Sequence, residues 1–228
     1  MPIPQRKLSS KLRFIHLRYD GCISYSKLYY RKGNQMIIII SGTSSSGKSS
    51  VCTALKNKLG DSWLYFSTDG YLSMLGSKFV ELHPANQNVT VPNNICYAKK
   101  HADDTFEIVP GALCSKLYLT IPSVLKLLSE QGFNIILDSF ITIQDEFLSY
   151  KNILQKFDPH FFYLSASEKT ISAREEARGD RLKGSAIHWL KKFCFQDQCD
   201  LAIDTEKLTI DKICELILKM INFHHHEL

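Results

Sequence analysis

The 228-residue sequence predicts an α/β fold with a mostly parallel sheet. Short apolar runs alternate along the chain with longer segments of helical periodicity, which is the order that produces strand–helix–strand units. A glycine-rich loop at residues 42–49 lies between one such run and one such segment, and Asp69 and Asp138 each follow a further apolar run. Because ligands bind at the carboxyl ends of parallel strands, we expect these features to share one site.

The glycine-rich loop has the sequence G-x-x-x-x-G-K-S. Glycines allow a tight turn in which successive backbone N–H groups face one anion, and the following helix directs its positive end at that anion. The motif predicts that Lys48 contacts the outer phosphates of a nucleotide and that Ser49 holds Mg²⁺. A serine-rich loop without a ligand is the alternative. The predicted nucleotide-binding residues of this segment are Gly42, Thr43, Ser44, Ser45, Ser46, Gly47, Lys48, Ser49 and Ser50.

The segments on either side of the loop fit this interpretation. Residues 37–40 are four consecutive isoleucines, a run that is typical of a strand buried on both faces. After the loop, Val51, Leu55 and Leu59 recur every four residues and Gly60 follows. This spacing predicts a helix that ends at the glycine.

Further strands are predicted at residues 63–66, 134–138, 161–164 and 200–204 from their apolar runs. Helical periodicity covers residues 112–131 and 209–221, and a third helix opens at Ser167 and ends at Gly179. Residues 76–110 carry little periodicity and several Asn and Pro. We expect an irregular, substrate-covering insert there, because such long segments in compact domains are usually functional.

Asp138 and Asp69 are the acidic candidates for the chemistry. Asp138 ends an apolar strand, the position of a carboxylate that holds Mg²⁺ directly or through water. Asp69 is the candidate for the base that orients an attacking hydroxyl. The alternatives are a strand-end cap for Asp138 and an ordinary Asp-Gly turn for Asp69.

Arg174, Arg178 and Arg181 are spaced i, i+4, i+7, so a helix through them places all three on one face. Gly179 interrupts that helix within the cluster. The arrangement predicts a lid that closes over phosphates, where an arginine stabilises charge on the transferring group. A solvated charged face is the alternative.

Charge is unevenly placed along the chain. The formal net charge is +5, but residues 1–35 hold eight Lys/Arg against Asp20, which gives +7 and leaves 5 − 7 = −2 for the remainder. We therefore divide the chain into a basic N-terminal extension, 1–35, and a phosphotransferase-type domain, 36–228. The extension is an anionic-surface arm, a targeting segment or dispensable, and Met36 is an alternative start.

The remaining composition favours a cytoplasmic protein. Seven cysteines show no C-x-x-C and no zinc-type spacing with histidine, which predicts reduced thiols. No run approaches the roughly 18 apolar residues of a membrane span, and we expect no nucleic-acid partner. The histidines 224–226 are predicted to form a solvated tail.

Together these residues resemble the chloramphenicol phosphotransferase family over roughly residues 36–205. The motifs that carry the resemblance are IIIISGTSSSGKSS, WLYFSTDGYL, GFNIILDSF, AREEARGDR followed by GSA, and DLAIDT. The resemblance implies a P-loop nucleotide-kinase-like, three-layer domain with an arginine-bearing lid, and transfer of the γ-phosphate of ATP to an antibiotic hydroxyl. It further implies that Asp69 is the catalytic base, assisted by Lys48, Arg174 and Arg178, and that Arg181 is a lid arginine.

The chain also departs from the pattern of that family. Ser139 stands where a second acid is common, and Cys194 and Phe195 occupy a region where a histidine is expected. The chemistry therefore transfers better than the acceptor. A protein or nucleoside hydroxyl remains an alternative acceptor, a non-catalytic nucleotide-binding regulator is the alternative of another class, and the oligomeric state stays open.

Overall fold

A five-stranded, entirely parallel sheet forms the centre of the computed structural model, with its strands in the spatial order 63–67, 134–138, 37–42, 160–165 and 201–204. The structure describes residues 35–76, 80–81, 96–179, 183–192 and 195–226. The predicted α/β class and parallel sheet are confirmed. Residues 1–34 of the predicted extension, 1–35, and the predicted lid residue Arg181 lie outside the described residues.

The elements follow the chain in alternating order. The strands of the central sheet are β1 Ile37–Gly42, β2 Trp63–Ser67, β6 Asn134–Asp138, β7 His160–Ser165 and β8 Leu201–Asp204. A second sheet contains β3 Val80–Glu81, β4 Cys96–Lys100 and β5 Phe106–Val109. The helices are α1 Lys48–Leu59, α2 Thr68–Leu72, α3 Ala112–Tyr118, α4 Ile121–Glu130, α5 Gln144–Leu154, α6 Glu168–Arg178, α7 Ser185–Leu190 and α8 Ile210–His226.

The isoleucines of β1 produce the three layers. Alternate side chains of a strand point to opposite faces, and all four are fully buried. Ile37 and Ile39 pack in a cluster with α4 and α5, whereas Ile38 and Ile40 pack in a second cluster with α1 and α8. Helices therefore cover both faces of the sheet, as the continuous apolar run predicted.

The carboxyl ends of three strands lie side by side. In the parallel register, Asp138 at the end of β6 is level with Ile40 of β1 and with Ser67 of β2. The loop after β1 and the helix that follows β2 therefore begin at the same edge of the sheet. This register is what brings the candidate residues together.

The irregular insert predicted for residues 76–110 is wrong for residues 96–109, which form regular structure, and residues 77–79 and 82–95 of this prediction lie outside the described residues. Strands β4 and β5 form an antiparallel hairpin from residue 96 to residue 109. Its strands are short and largely half-exposed, so they lack the apolar alternation by which a strand is recognised in sequence. Asp104 adopts a left-handed conformation with φ 59° in the connecting turn.

The helical pattern predicted over residues 112–131, with Pro122 in a first turn, is present as two helices, because the chain forms α3 and α4 with a turn at Leu119 and Thr120. Pro122 has no N–H to donate to the carbonyl of Tyr118, so it would kink or break an α-helix that continued through it. The proline instead lies in the first turn of α4, where the missing donor costs nothing. The expected stop at Gly132 follows α4 closely.

By length and composition, Ala112–Glu130 is a stretch that can cross a membrane, with mean hydropathy 1.2. One such stretch is weak evidence of a membrane span, because core helices of soluble proteins have the same composition.

Three other predicted helix ends agree with the structure, namely Gly60 after α1, Ser167 before α6 and Gly179 after it. Helix α8 continues to His226, so histidines 224–226 extend a helix, and their predicted exposure to solvent stays a prediction.

Candidate active site

The loop between β1 and α1 has the geometry of an anion-binding nest. Ser45 and Gly47 have positive φ angles of 61° and 97°, and such alternation turns successive N–H groups toward one point. Helix α1 begins directly at Lys48, so its positive end faces the same point. The Ser45 hydroxyl is buried and has no hydrogen-bond partner among the described residues, which is a polar atom that a bound phosphate would satisfy.

The lysine of the motif lies across its own loop. Lys48 Nζ donates a hydrogen bond of 2.6 Å to the carbonyl oxygen of Thr43 and lies 5.9 Å from the ring centroid of Phe140. The buried Ser46 hydroxyl donates to the same carbonyl at 2.8 Å. The ammonium group is thus held at the loop, within the same cavity wall as the nest.

Ser49 and Asp138 form a pair of oxygen donors. Ser49 Oγ donates a hydrogen bond of 2.7 Å to Asp138 Oδ2, and the Tyr65 hydroxyl donates to the same oxygen at 3.0 Å. Burial and the Asp138 charge raise the pKa of Tyr65 above its usual range, so its hydroxyl stays a donor. A hydroxyl beside a carboxylate provides oxygen ligands of the kind that Mg²⁺ prefers. Ser49 and Asp138 therefore fit the ion that the P-loop implies.

Asp69 lies in the first turn of α2, directly after β2. The Ser67 side chain caps this helix by accepting a hydrogen bond from the Gly70 N–H at 3.2 Å. The capped turn leaves Asp69 exposed and facing the cavity described below. The predicted position just past a strand is therefore correct, in a helical turn rather than a loop.

A cavity of about 1010 Å³ unites most of the predicted residues. The predicted residues that line it are Ser44, Ser45, Gly47, Lys48, Ser49, Ser50, Asp69, Asp138, Arg174 and Arg178. Gly42, Thr43 and Ser46 belong to the loop but are not among the lining residues. Their contribution is to the backbone of the nest.

Two of the predicted lid arginines line the cavity from α6. Arg174 donates to Thr205 through Nη1 to Oγ1 at 2.9 Å and through Nη2 to the carbonyl oxygen at 3.2 Å. Arg178 is the last residue of the helix and is exposed, and Gly179 follows with φ 67°. Glycine adopts this left-handed helix end without strain, so the chain turns away directly after the second arginine.

Glu175 lies between these arginines and binds the start of α7. It is 2% exposed. Its carboxylate accepts hydrogen bonds from the Gly184 N–H at 2.6 Å, the Ser185 hydroxyl at 3.1 Å and the Ala186 N–H at 3.1 Å. A carboxylate at a helix N-terminus is favoured by the helix dipole, so the acidic residue of the arginine box serves as an interhelix clamp.

Sequence reasoning missed four residues of the cavity region. Tyr65 contacts Asp138, Thr205 contacts Arg174, and Phe140 and Trp189 meet edge to face with ring centroids 5.5 Å apart. Phe140 follows Asp138 closely in sequence, which is a signal that was present. The other three residues reach the site through strand pairing and helix packing, and no local pattern marks them.

The site combines a P-loop at the carboxyl edge of a parallel sheet, an aspartate in a capped helical turn and two arginines on a helix. These features define a P-loop protein with a kinase-like fold. The model of a protein family described as "Chloramphenicol phosphotransferase-like protein" matches residues 35–222. The chain therefore belongs to the chloramphenicol phosphotransferase-like family, as the sequence resemblance predicted. A comparison with curated protein sequences finds no match.

Solved structures of two kinases and of an antibiotic resistance protein have a similar fold. The Mycobacterium tuberculosis APS kinase in complex with AMPPNP and APS is similar at TM-score 0.55 and 12% identity, covering 83% of this chain and 98% of that one. A gluconokinase from Sinorhizobium meliloti 1021 is similar at TM-score 0.52 and 16% identity, with coverages of 87% and 100%. The Deinococcus radiodurans tunicamycin resistance protein is similar at TM-score 0.52 and 18% identity, with coverages of 82% and 95%.

Proposed function

We propose that this chain is an ATP- and Mg²⁺-dependent phosphotransferase that moves the γ-phosphate of ATP to a hydroxyl group of a small molecule. The observation that carries the proposal is the shared cavity, which places Asp69 with the nest, Lys48 and the Ser49–Asp138 pair. Phosphoryl transfer needs positioning, charge neutralisation and a base, and these groups provide all three.

Each residue has a defined task in this proposal. Asp69 takes the proton from the hydroxyl group of the substrate as that hydroxyl oxygen bonds to the γ-phosphorus. At the same time the bond between the γ-phosphorus and the bridging oxygen of ADP breaks. Lys48 and Arg178 neutralise the charge of the transferring group. Ser49 and Asp138 would hold Mg²⁺, which when bound neutralises phosphate charge. Arg174, fixed by Thr205, binds phosphate from the lid side.

The cavity walls favour a small acceptor with apolar surface. Ile108, Phe140 and Trp189 line it on the side of the second sheet and α7, and the Trp189 indole N–H is buried without a hydrogen-bond partner among the described residues. An aromatic wall with one free donor suits an alcohol that also carries an acceptor group. An antibiotic alcohol such as chloramphenicol is the first acceptor to test, because of the family to which the chain belongs.

We also propose a cytoplasmic location. The five cysteines among the described residues are free thiols, and reduced thiols are usual in that compartment. ATP is supplied there as well. Fractionation of the native host tests this part of the proposal separately.

The test is transfer from γ-labelled ATP and Mg²⁺ to a panel of antibiotics, metabolites and protein hydroxyls. Asp69→Asn should lower transfer by about 10²–10⁴-fold, the usual contribution of a general base, with ATP affinity unchanged. Asp61→Asn is the matched control, because Asp61 is an exposed aspartate in the turn before β2. Equal transfer by both variants would exclude Asp69 as the base.

Two further outcomes of the panel separate the alternatives. Binding of ATP without transfer to any acceptor but water would favour a nucleotide-binding regulator. Labelling of a protein that is lost on deletion of residues 1–35 would favour a macromolecular acceptor docked by the basic extension. A small-molecule kinase should keep its activity after that deletion.

A further inference from the structure

A second group of chemically active side chains lies where the hairpin of β4 and β5 meets α7. His101 follows β4, Glu107 lies in β5 and His188 lies in α7, and ligand atoms from all three are within 4.8 Å of one another. We call these three residues the His–Glu–His cluster. None of them is among the residues that line the candidate active-site cavity, so the proposed phosphotransfer does not account for the cluster.

Both histidines direct a ring nitrogen at the same carboxylate oxygen. His101 Nε2 lies 3.0 Å and His188 Nε2 lies 3.9 Å from Glu107 Oε2. The two rings are stacked with their centroids 4.4 Å apart and an interplanar angle of 18°. Two nitrogens and one oxygen therefore lie within 4.8 Å of one another, close enough to share one small ion.

A neighbouring threonine determines which nitrogen of His188 carries the proton. The Thr105 hydroxyl donates its single hydrogen to Asp103 Oδ1 at 2.6 Å. Its contact with His188 Nδ1, at 3.3 Å, must then be one in which the ring nitrogen donates and the hydroxyl oxygen accepts. A neutral His188 with its proton on Nδ1 presents a lone pair at Nε2, toward Glu107.

The lone pair of His188 Nε2 is a buried hydrogen-bond acceptor, and it faces a second acceptor, the carboxylate of Glu107. The His188 side chain is 8% exposed, and its Nε2 has no hydrogen-bond partner among the described residues. A buried polar atom without a partner is costly, and a carboxylate opposite it adds repulsion. A cation between the two groups removes both penalties.

We infer that His101, Glu107 and His188 bind a zinc ion through His101 Nε2, Glu107 Oε2 and His188 Nε2. Two imidazoles and one carboxylate are a common zinc donor set, with bonds of about 2.0–2.2 Å and a fourth position for water. The Asp103–Thr105–His188 chain is the type of outer hydrogen bond that orients a histidine ligand. Zinc displaces the proton that His101 Nε2 shares with Glu107.

Two lysines next to the cluster are compatible with the ion. Lys192 Nζ lies 3.5 Å from Glu107 Oε1, the carboxylate oxygen that the ion does not use, and Lys191 Nζ lies 3.8 Å from Asp103. Both lysine side chains are about half exposed, so they can turn toward water when a cation binds. Lys192→Gln should therefore tighten zinc binding, because it removes a competing charge.

The position of the site gives it a structural consequence. Ile108 adjoins Glu107 and Trp189 adjoins His188, and both line the active-site cavity. Zinc would link the hairpin to α7 and hold these two wall residues together. This inference does not depend on the proposed phosphotransfer.

The test is calorimetric titration of ZnSO₄ into the full chain carrying H224N/H225N/H226N, which removes the C-terminal histidines as competing ligands. We expect one zinc ion per chain. Glu107→Gln should weaken binding by at least about 100-fold, since even outer-sphere changes cost 10–100-fold. Asp104→Asn is the matched control, because Asp104 is an 84% exposed carboxylate in the adjacent turn, and it should bind zinc unchanged.

Further measurements keep the inference falsifiable. His188→Asn should lose binding and Thr105→Val should weaken it by about 10–100-fold, with thermal melts in EDTA showing that each variant is folded. Absence of zinc binding in the H224N/H225N/H226N chain, or equal affinities for the Glu107 and Asp104 variants, would overturn it. So would thiolate charge-transfer bands in the Co²⁺-loaded protein, which would assign the metal to cysteines.

Discussion

Ser49 Oγ and Asp138 Oδ2 are joined by a hydrogen bond of 2.7 Å across 89 positions of the chain. The parallel pairing of β1 with β6 produces this contact, because it sets the start of α1 beside the last residue of β6. The pair is the part of the site that most directly suits Mg²⁺.

We therefore predict that Ser49→Ala raises the Mg²⁺ concentration needed for ATP-analogue binding by about 10–100-fold, a range typical of lost metal-site contacts. Fluorescence titration of a labelled ATP analogue at several Mg²⁺ concentrations measures the shift. Ser62→Ala is the control, since Ser62 is an exposed serine in the turn before β2. The same Mg²⁺ requirement in both variants would contradict the assignment of Ser49.

The clamp between α6 and α7 makes a stability prediction. Glu175→Ala should lower the free energy of unfolding by about 2–4 kcal/mol, because it leaves the buried donors of Ser185 and Ala186 and the half-buried N–H of Gly184 without their charged acceptor. The neighbouring Glu176 is 71% exposed and pairs with Lys183 at 3.1 Å, so Glu176→Ala should change stability by less than about 0.5 kcal/mol. Urea unfolding of both variants provides the comparison, and equal losses would disprove the clamp.

Gly42 makes the closest backbone approach in the P-loop. A Cβ at this position would lie 2.2 Å from the carbonyl oxygen of Leu164, and φ is +145°. Gly42→Ala should cost more than about 3 kcal/mol, because strain and overpacking add. Gly60→Ala isolates the backbone term at about 1–3 kcal/mol, since φ is +88° with ψ −176° and no atom lies within 4 Å of its Cβ position. A thermal melt that ranks the two variants in the opposite order would refute this reasoning.

Glu146 makes a prediction about pH. Burial raises the pKa of this carboxyl, although hydrogen bonds from Thr142 and Ile143 partly oppose the shift. A raised pKa in the folded state means that the folded protein binds the proton more tightly. The contribution of Glu146 to stability is therefore complete below its unfolded pKa and is lost as the pH rises through its folded pKa.

Unfolding of the wild-type chain and of Glu146→Gln from pH 4 to pH 8 checks this sign. The neutral variant should gain stability relative to the wild type as the pH rises. The exposed neighbour Asp145 supplies the control Asp145→Asn, which should show no such trend. A relative loss for Glu146→Gln at high pH would show that the hydrogen bonds outweigh burial.

Local features of the sequence predicted the five strands of the central sheet and the helices α1, α6 and α8 correctly, whereas α2, α5, α7 and the second sheet were not predicted. The β1 isoleucines, the helix stop at Gly60 and the cap at Ser167 depend on neighbours within one turn or one strand, so the pattern around each residue contains the information. The split before Pro122 is also local, because a proline lacks the N–H that a helix interior needs and is tolerated in a first turn. The strands β4 and β5 were not predicted for another reason. Both are half-exposed, and such weak burial leaves no alternation of apolar and polar residues to detect.

By itself, the sequence determined the nest-forming loop, the α/β class and the carboxylates after β2 and β6, because these depend on residue type and short-range spacing. Only the tertiary structure decided which distant groups meet. The Arg174–Thr205 contact spans 31 positions and the Thr105–His188 contact spans 83. Such contacts follow from strand order and helix packing, which hydrophobic periodicity along one chain does not encode.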